Sequence, residues 1–234
     1  MGLRIGLLVN PVAGMGGKVG LKGTDGVVHK AIQRGATPVA YDKTVEMLCY
    51  FQKNLKNNDI SWFTATADMG AHELNTAGIT NFTIIYSPLE SKTTSEDTKK
   101  LCQQLLLCDL DLLVFCGGDG TARDIFSVVD KKIPLLGIPS GVKMYSGVFG
   151  ITAEATAKIL LEFLSNTLRV GDVEIMDLDE ERYRKGEWNI RLFGIAKGIV
   201  EPHYVQVGKA SYESVDDTAI KAVGIVFLYP LKLS

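Results

Sequence analysis

No two cysteines in this sequence form a Cys-x-x-Cys pair; the four fall at positions 49, 102, 108 and 116. Neither a zinc site nor a thiol–disulfide motif is therefore indicated. Three of the four lie in apolar runs, where a free thiol behaves as a small hydrophobe, and a reducing, cytoplasmic compartment is the expected setting. An excess of one charge is lacking too. The net charge of -2 provides no electrostatic footprint for nucleic acid or an anionic membrane, and neither is expected as a partner. The apolar run Leu3 to Val9 is too short to span a bilayer, and no signal-peptide cleavage pattern follows it. Gly2 invites myristoylation, but Gly6 stands where that motif needs Ser or Thr. His72 has no Cys or His partner at ligand spacing, and no metal-ligating residue is named from the sequence. Internal repeats and low-complexity tracts are missing as well.

What is present suits a globular chain. Its 234 residues are 46% hydrophobic and 22% charged, enough for one large domain or one domain plus a smaller one. Leu3 to Val9 reads as a buried strand stopped by Asn10-Pro11. Met47, Leu48, Phe51 and Leu55 repeat at helical spacing within Glu46 to Leu55. Ile60 to Thr64 and Phe82 to Tyr86 read as strands, with a weak helix from His72 to Ala77 between them. Ser95 to Cys108 reads as a helix capped by Thr94, with Asp97 as a short stand-in for the Glu of a capping box. Leu112 to Cys116 is a strand, Ala122, Ile125 and Val129 mark a helix, and Pro134 to Ile138 is a strand again. This βαβα order predicts a parallel sheet with helices on both faces. Thr152 can cap a further helix containing Ala153, Ala157, Leu160 and Leu164. Beyond it Val173 to Leu178, Ile190 to Ile195 and Tyr204 to Val207 are strand-like. The expected division is an α/β nucleotide-phosphate domain over residues 1–168 and a smaller, shortened β-rich substrate domain over 169–234.

Three Gly-rich segments each follow an apolar strand. The strongest signal is Leu112 to Cys116 running into Gly117-Gly118-Asp119-Gly120-Thr121. In an open α/β sheet ligands bind beyond the carboxyl ends of the strands. A Gly-rich turn there exposes backbone N–H groups to an anion, and a helix N-terminus adds its dipole. A carboxylate beside phosphate is repelled unless it binds a metal or takes a proton from an attacking hydroxyl. Read alone, the motif is first a tight turn in which Asp119 caps the helix; the flanking strand and helix turn the balance to the phosphate reading. The second segment, Asn10-Pro11-Val12-Ala13-Gly14-Met15-Gly16-Gly17-Lys18, continues through Lys22 to Gly26. It is not a P-loop, since Lys18 lacks a following Ser or Thr. Nor is it a dinucleotide fingerprint, since Val19 takes the third glycine's place. Lys18 and Lys22 can still meet a phosphate. The third, Gly137-Ile138-Pro139-Ser140-Gly141-Val142-Lys143-Met144-Tyr145-Ser146-Gly147, offers Ser140, Gly141, Lys143 and Ser146 to polar ligand atoms. His29, His203 and the acidic run of Asp177, Asp179, Glu180 and Glu181 are weaker candidates, read first as surface groups.

Together these segments resemble the superfamily that groups NAD kinases with diacylglycerol kinases and 6-phosphofructokinases. Asn10 to Gly26, Gly117 to Asp124 and Gly137 to Phe149 look most like its predicted ATP-NAD kinase branch, which includes proteins similar to the acetoin-catabolism protein X. The resemblance covers most of residues 1–210. It implies an N-terminal α/β domain, a C-terminal β-rich domain and a site between them, with Asp119 as the base for the ribose 2′-hydroxyl of NAD. It implies ATP or polyphosphate as donor, NAD as substrate and Mg²⁺ as metal. Gly117, Gly118, Gly120 and Thr121 would hold phosphates, with Asn10, Gly14, Gly16, Gly17, Ser140 and Gly141 lining the site and Lys18, Lys22 and Lys143 offsetting charge. The sequence departs from NAD kinases in two places: it has no Asn-Glu dipeptide, and the segment after Gly137 is not of Gly-x-Leu-Gly-Phe form. A lipid or sugar kinase on the same fold, and a non-catalytic nucleotide-binding regulator, are the alternatives. Ala222 to Leu228 is an apolar, strand-like stretch stopped by Pro230. Similar proteins run on past this point, so the segment that covers this edge is expected to be missing. A homo-oligomer paired through the β-rich region is expected in its place.

Overall fold

The computed structural model describes residues 2–15, 33, 35, 38–56, 59–90, 92–141, 144–178 and 190–200. Among these, seven strands form one sheet in the order β3-β2-β1-β4-β5-β7-β6. They are β1 (Leu3–Val9), β2 (Ile60–Ala65), β3 (Phe82–Tyr86), β4 (Leu112–Gly117), β5 (Leu135–Pro139), β6 (Arg169–Leu178) and β7 (Ile190–Val200). β1 to β5 run parallel. β6 and β7 form an antiparallel pair, and β7 joins β5 in parallel through Leu135 and Gly198. The chain steps outward from β1 to β3, then crosses back to place β4 on the other side of β1. The winding direction reverses between these two central strands, and such a reversal opens a crevice at their carboxyl ends.

β1 and β4 are continuously apolar because both faces of the sheet are covered. On one face Ile5, Leu7 and Val9 meet α1 (Ala40–Asn54), α2 (Ala71–Thr76) and α5 (Ala153–Leu164) through Met47, Leu48, Phe51, Leu74 and Leu160. The Phe51 and Trp62 rings meet edge to face at 6.0 Å. On the other face Leu8, Leu113 and Phe115 meet α3 (Ser95–Leu105) and α4 (Asp119–Val129) through Leu101, Leu105, Ile125 and Val129. Phe149 closes that side against Phe115 at 5.3 Å.

Local sequence sets most boundaries. The Asp97 carboxylate accepts from the Thr94 backbone N–H (2.8 Å) and hydroxyl (3.0 Å) at the start of α3. Thr152 accepts from the Ala155 N–H at 3.0 Å and caps α5. α1 begins six residues before the expected Glu46, because Ala40 and Thr44 are buried against the sheet and the Thr44 hydroxyl returns to the Ala40 carbonyl at 2.8 Å. β6 and β7 outrun the expected strands, because their pairing recruits flanking polar residues such as Asp172 and Lys197, 2.8 Å apart. Tyr204 to Val207 and Ala222 to Leu228 lie outside the described residues.

Candidate functional site

The carboxyl ends of β1, β4 and β5 meet at one edge of the sheet. The Asn10 N–H donates to the Cys116 carbonyl at 3.0 Å, carrying the β1–β4 ladder one step past the strand. The Asn10 side chain then works in two directions. Its Oδ1 accepts from the Val12 N–H at 3.3 Å, folding the loop back, and its Nδ2 donates to Thr121 Oγ1 at 3.0 Å, tying β1 to α4. Gly14 has φ +79° and lies against the backbone carbonyl oxygen of Ser140, where a Cβ would collide. The Ser140 N–H donates to the Gly117 carbonyl at 3.0 Å. The segments after β1, β4 and β5 therefore share one end of the sheet, as their positions after apolar strands predict.

Within that cluster the expected Gly117-to-Thr121 loop is much shorter. Gly117 ends β4, Gly118 is the N-cap, and Asp119, Gly120 and Thr121 already lie in the first turn of α4. Gly117 is required by contact, since a Cβ there would sit 2.5 Å from the Thr121 Cβ. Asp119 stands one residue inside the N-cap, Gly118, which has no side chain with which to cap the helix. The Asp119 carboxylate reaches the third Gly-rich segment. Oδ1 accepts from the Ser146 N–H at 2.8 Å and the Ser146 hydroxyl at 2.6 Å, and Oδ2 accepts from the Tyr145 N–H at 3.0 Å. Thr121 is buried, and its oxygen faces Asn10 rather than the solvent side of the crevice. Ser146, read from the sequence as a ligand contact, is fully buried and turned inward. Gly141 lies beside Met144. Gly16, Gly17, Lys18, Lys22 and Lys143 lie outside the described residues, as do His29 and His203.

Two buried polar groups at this end have no well-aligned hydrogen-bond partner among the described residues: Ser140 Oγ and both carboxylate oxygens of Glu73. Burial pushes Glu73 up from its ordinary 4.5 to about 7, and Asp68 adds to the rise. The backbone N–H groups of Glu73 and Gly70 and the nearby His72 offset only part of it. Sequence reading missed Glu73 because it singled out His72, which is exposed and bonded to Asp68 at 2.7 Å. Glu73 lies between Ala71 and Leu74 in the chain and shares the helix face that they bury. Cys116 lies close to Glu73, and burial pushes its thiol up to about 12.

A cavity of about 550 Å³ opens beside the crevice, lined by Pro11, Val12, Met15, Thr66, Asp68 and Leu89 among others. A second, of about 670 Å³, lies at the opposite end of the sheet around Leu107, Asp109 and Lys132, away from the Gly-rich segments. Among the described residues no three His, Cys, Asp or Glu side chains gather to hold a metal, and no helix is long and apolar enough to cross a membrane.

A sequence model of the ATP-NAD kinase N-terminal domain matches residues 5–167, from β1 through α5. The chain belongs to the ATP-NAD kinase family. No curated protein and no solved structure matches it. Family membership makes this a kinase-type domain, and the parallel α/β sheet is the fold such a domain requires. The ATP-NAD kinase match ends just before β6.

Proposed function

We propose that this chain transfers a phosphoryl group from ATP or polyphosphate to the ribose 2′-hydroxyl of NAD or a related nucleotide. The observation that carries this reading is the meeting of Asn10, Gly14, Gly118, Asp119 and Ser140 at the β1–β4 reversal of an ATP-NAD kinase family sheet. Phosphoryl transfer needs positioning and charge neutralisation more than covalent help. The first-turn N–H groups of α4, at Gly118 to Gly120, would receive phosphate oxygens. Asn10 and Thr121 brace the two sides of the crevice. Asp119 would take the proton of the ribose hydroxyl as its oxygen bonds to the γ-phosphorus and the bond to the leaving diphosphate breaks. Mg²⁺, carried on the nucleotide's phosphates, would supply charge neutralisation. Lys18, Lys22 and Lys143 are assigned the same task.

In this reading residues 1–168 bind nucleotide phosphates and residues 169–234 contact the acceptor in a cytoplasmic enzyme of the acetoin-catabolism protein X-like branch. Two copies pair through the β-rich region, whose Val170, Leu192, Phe193 and Val200 are 41% to 53% exposed; light scattering tests this pairing. Turnover is tested by a coupled NADPH-forming assay with ATP or polyphosphate, alongside diacylglycerol and fructose 6-phosphate as rival acceptors. NADPH formation that disappears in Asp119→Ala is the expected result. Phosphorylation of a rival acceptor, or of none, overturns the NAD reading.

A further inference from the structure

Asp119 does not stand alone at the end of β4; a hydrogen-bonded chain ties it to the far edge of the sheet. The Met176 N–H in β6 donates to Ser146 Oγ at 2.9 Å. A serine hydroxyl has one proton, and an N–H already fills an acceptor position on this oxygen. The proton therefore goes to Asp119 Oδ1, 2.6 Å away, a length typical of a hydroxyl donating to an ionised carboxylate. The chain has one direction only: Met176 N–H to Ser146 O–H to Asp119 carboxylate.

The structure around this chain fixes it at both ends. The β6–β7 register slips between Ile175 and Met176: Ile175 pairs with Gly194 and Met176 with Leu192, leaving Phe193 as the extra residue. Such a bulge re-aims a strand locally. Here the Met176 N–H points at Ser146, and Phe193 packs edge to face on Phe126 of α4 at 6.1 Å. The Gly147 N–H donates to the Glu174 carbonyl at 2.8 Å, holding the same segment against β6. One irregularity in the sheet thus sets both the helix that begins with Asp119 and the hydroxyl that holds its carboxylate.

We propose that Ser146 is a positioning residue for Asp119: it holds Oδ1 through its hydroxyl and N–H, fixes the rotation of the carboxylate and directs Oδ2 to the proton-accepting role. This rests on the phosphotransferase reading given above, in which Asp119 is the base. The sequence-based role for Ser146, direct contact with the ligand, is replaced by one acting through Asp119.

Three variants test it in the full chain. Ser146→Ala is expected to lower kcat on the order of tenfold with little change in KM for either substrate, because the base is misaligned while binding surfaces stay intact. The acid limb of its pH–rate profile is expected at higher pH, since a hydrogen bond to the ionised carboxylate has gone. Ser146→Thr, which keeps the hydroxyl, is expected to restore both. Ser146→Cys, similar in shape with only a weak S–H donor, replaces the alanine comparison if Ser146→Ala does not fold. The Asp119 carboxyl carbon resonance, followed across pH in wild type and variant, reads the same bond without turnover. An unchanged kcat and an unmoved resonance in a folded Ser146→Ala or Ser146→Cys protein overturn the proposal. A wild type that forms no NADPH sinks the functional reading instead, and the resonance alone then decides whether Ser146 holds Asp119.

Discussion

Asp119 and Glu73 both stand in the first turn of a helix at the same end of the sheet, one in α4 and the other in α2, but their oxygens are treated in opposite ways. Asp119 accepts from two backbone N–H groups and a hydroxyl. Glu73 is fully buried, and among the described residues neither of its oxygens has a partner in hydrogen-bonding geometry; the N–H groups of Glu73 and Gly70 lie near enough only to temper its charge. The difference lies in the neighbouring chain. The segment after β5 folds its Tyr145 and Ser146 N–H groups over the start of α4, whereas the acid of α2 lies near the Cys116 thiol of β4. A buried carboxylate is stable as an ion only where donors converge on it; otherwise it keeps its proton until the pH is high enough to force ionisation. The acid at the Gly-rich motif is the one supplied with donors.

The contrast is broken most severely at Asp119. Asp119→Ala is expected to lower turnover by about 10² to 10⁴, measured by steady-state NADPH formation. Asp119→Asn is a poorer isostere than its shape suggests. Its amide NH₂ would face the Tyr145 or Ser146 N–H, two donors against each other. Faster hydrogen exchange at those two amides is therefore expected along with the lost turnover. An Asn variant with wild-type turnover would show that Asp119 is not the base.

Removing the unsupported acid should have the opposite effect on stability. With a folded value of about 7 against an ordinary 4.5, Glu73 costs nothing below pH 4.5, where it is protonated in both states. Between pH 4.5 and 7 the unfolded chain ionises and the folded one does not, so stability falls as pH rises. Above about 7 the cost levels off near 3 kcal/mol, at about 1.4 kcal/mol per pH unit across that window. Glu73→Met should therefore stabilise the fold at pH 8 by up to about 3 kcal/mol and flatten this dependence in denaturant titrations at pH 4.5, 6 and 8. An unchanged slope between pH 4.5 and 7 would mean that Glu73 finds a partner in solution.

Smaller effects sharpen the picture. Gly14→Ala places a Cβ against the Ser140 carbonyl at φ +79°, and a loss of about 1 to 3 kcal/mol is expected. Thermal unfolding would show it, with nucleotide binding weakened in parallel if the β1 and β5 segments form one site. A third acid, Asp97, is supported like Asp119 but near the surface. Burial pushes its carboxyl up, yet hydrogen bonds from Tyr86 and Thr94 outweigh it and hold it below the ordinary range. Its contribution is present above the ordinary carboxylate value and is lost as pH falls below it. Asp97→Ala should cost about 1 kcal/mol at neutral pH and nothing in strong acid, read from denaturant midpoints.

The parts of the fold carried by short-range pattern were legible in the sequence. Leu3 to Val9 and Phe82 to Tyr86 are strands over the expected residues, and the Thr94 and Thr152 helix starts follow from one residue each. The sharing of one sheet edge by three Gly-rich segments followed from chain order alone. What stayed hidden depends on distant partners. Ser146 looks like one more polar loop residue until Asp119 and Met176, 27 and 30 positions away, close around it. Glu73 sits in a six-residue helix too short for its buried face to show as a period. The loop expected at Gly117 to Thr121 was overestimated because glycines suggest a turn, whereas here they let the helix start directly against the strand.

The hydrogen bond between Asn10 and Thr121 joins residues 111 positions apart, and this has a consequence for how the molecule comes into being. β1 pairs with β2 across the stretch from Leu3 to Ile60, but its other side must wait for β4, where Ile5 meets Leu112. Closing so long a loop costs entropy before any contact repays it. During synthesis the first Gly-rich segment therefore leaves the ribosome long before anything exists for it to face. The crevice is not inherited from an early-folding piece; it appears when the central strand pair is completed, and a nascent chain halted before β4 would have half a sheet and no site.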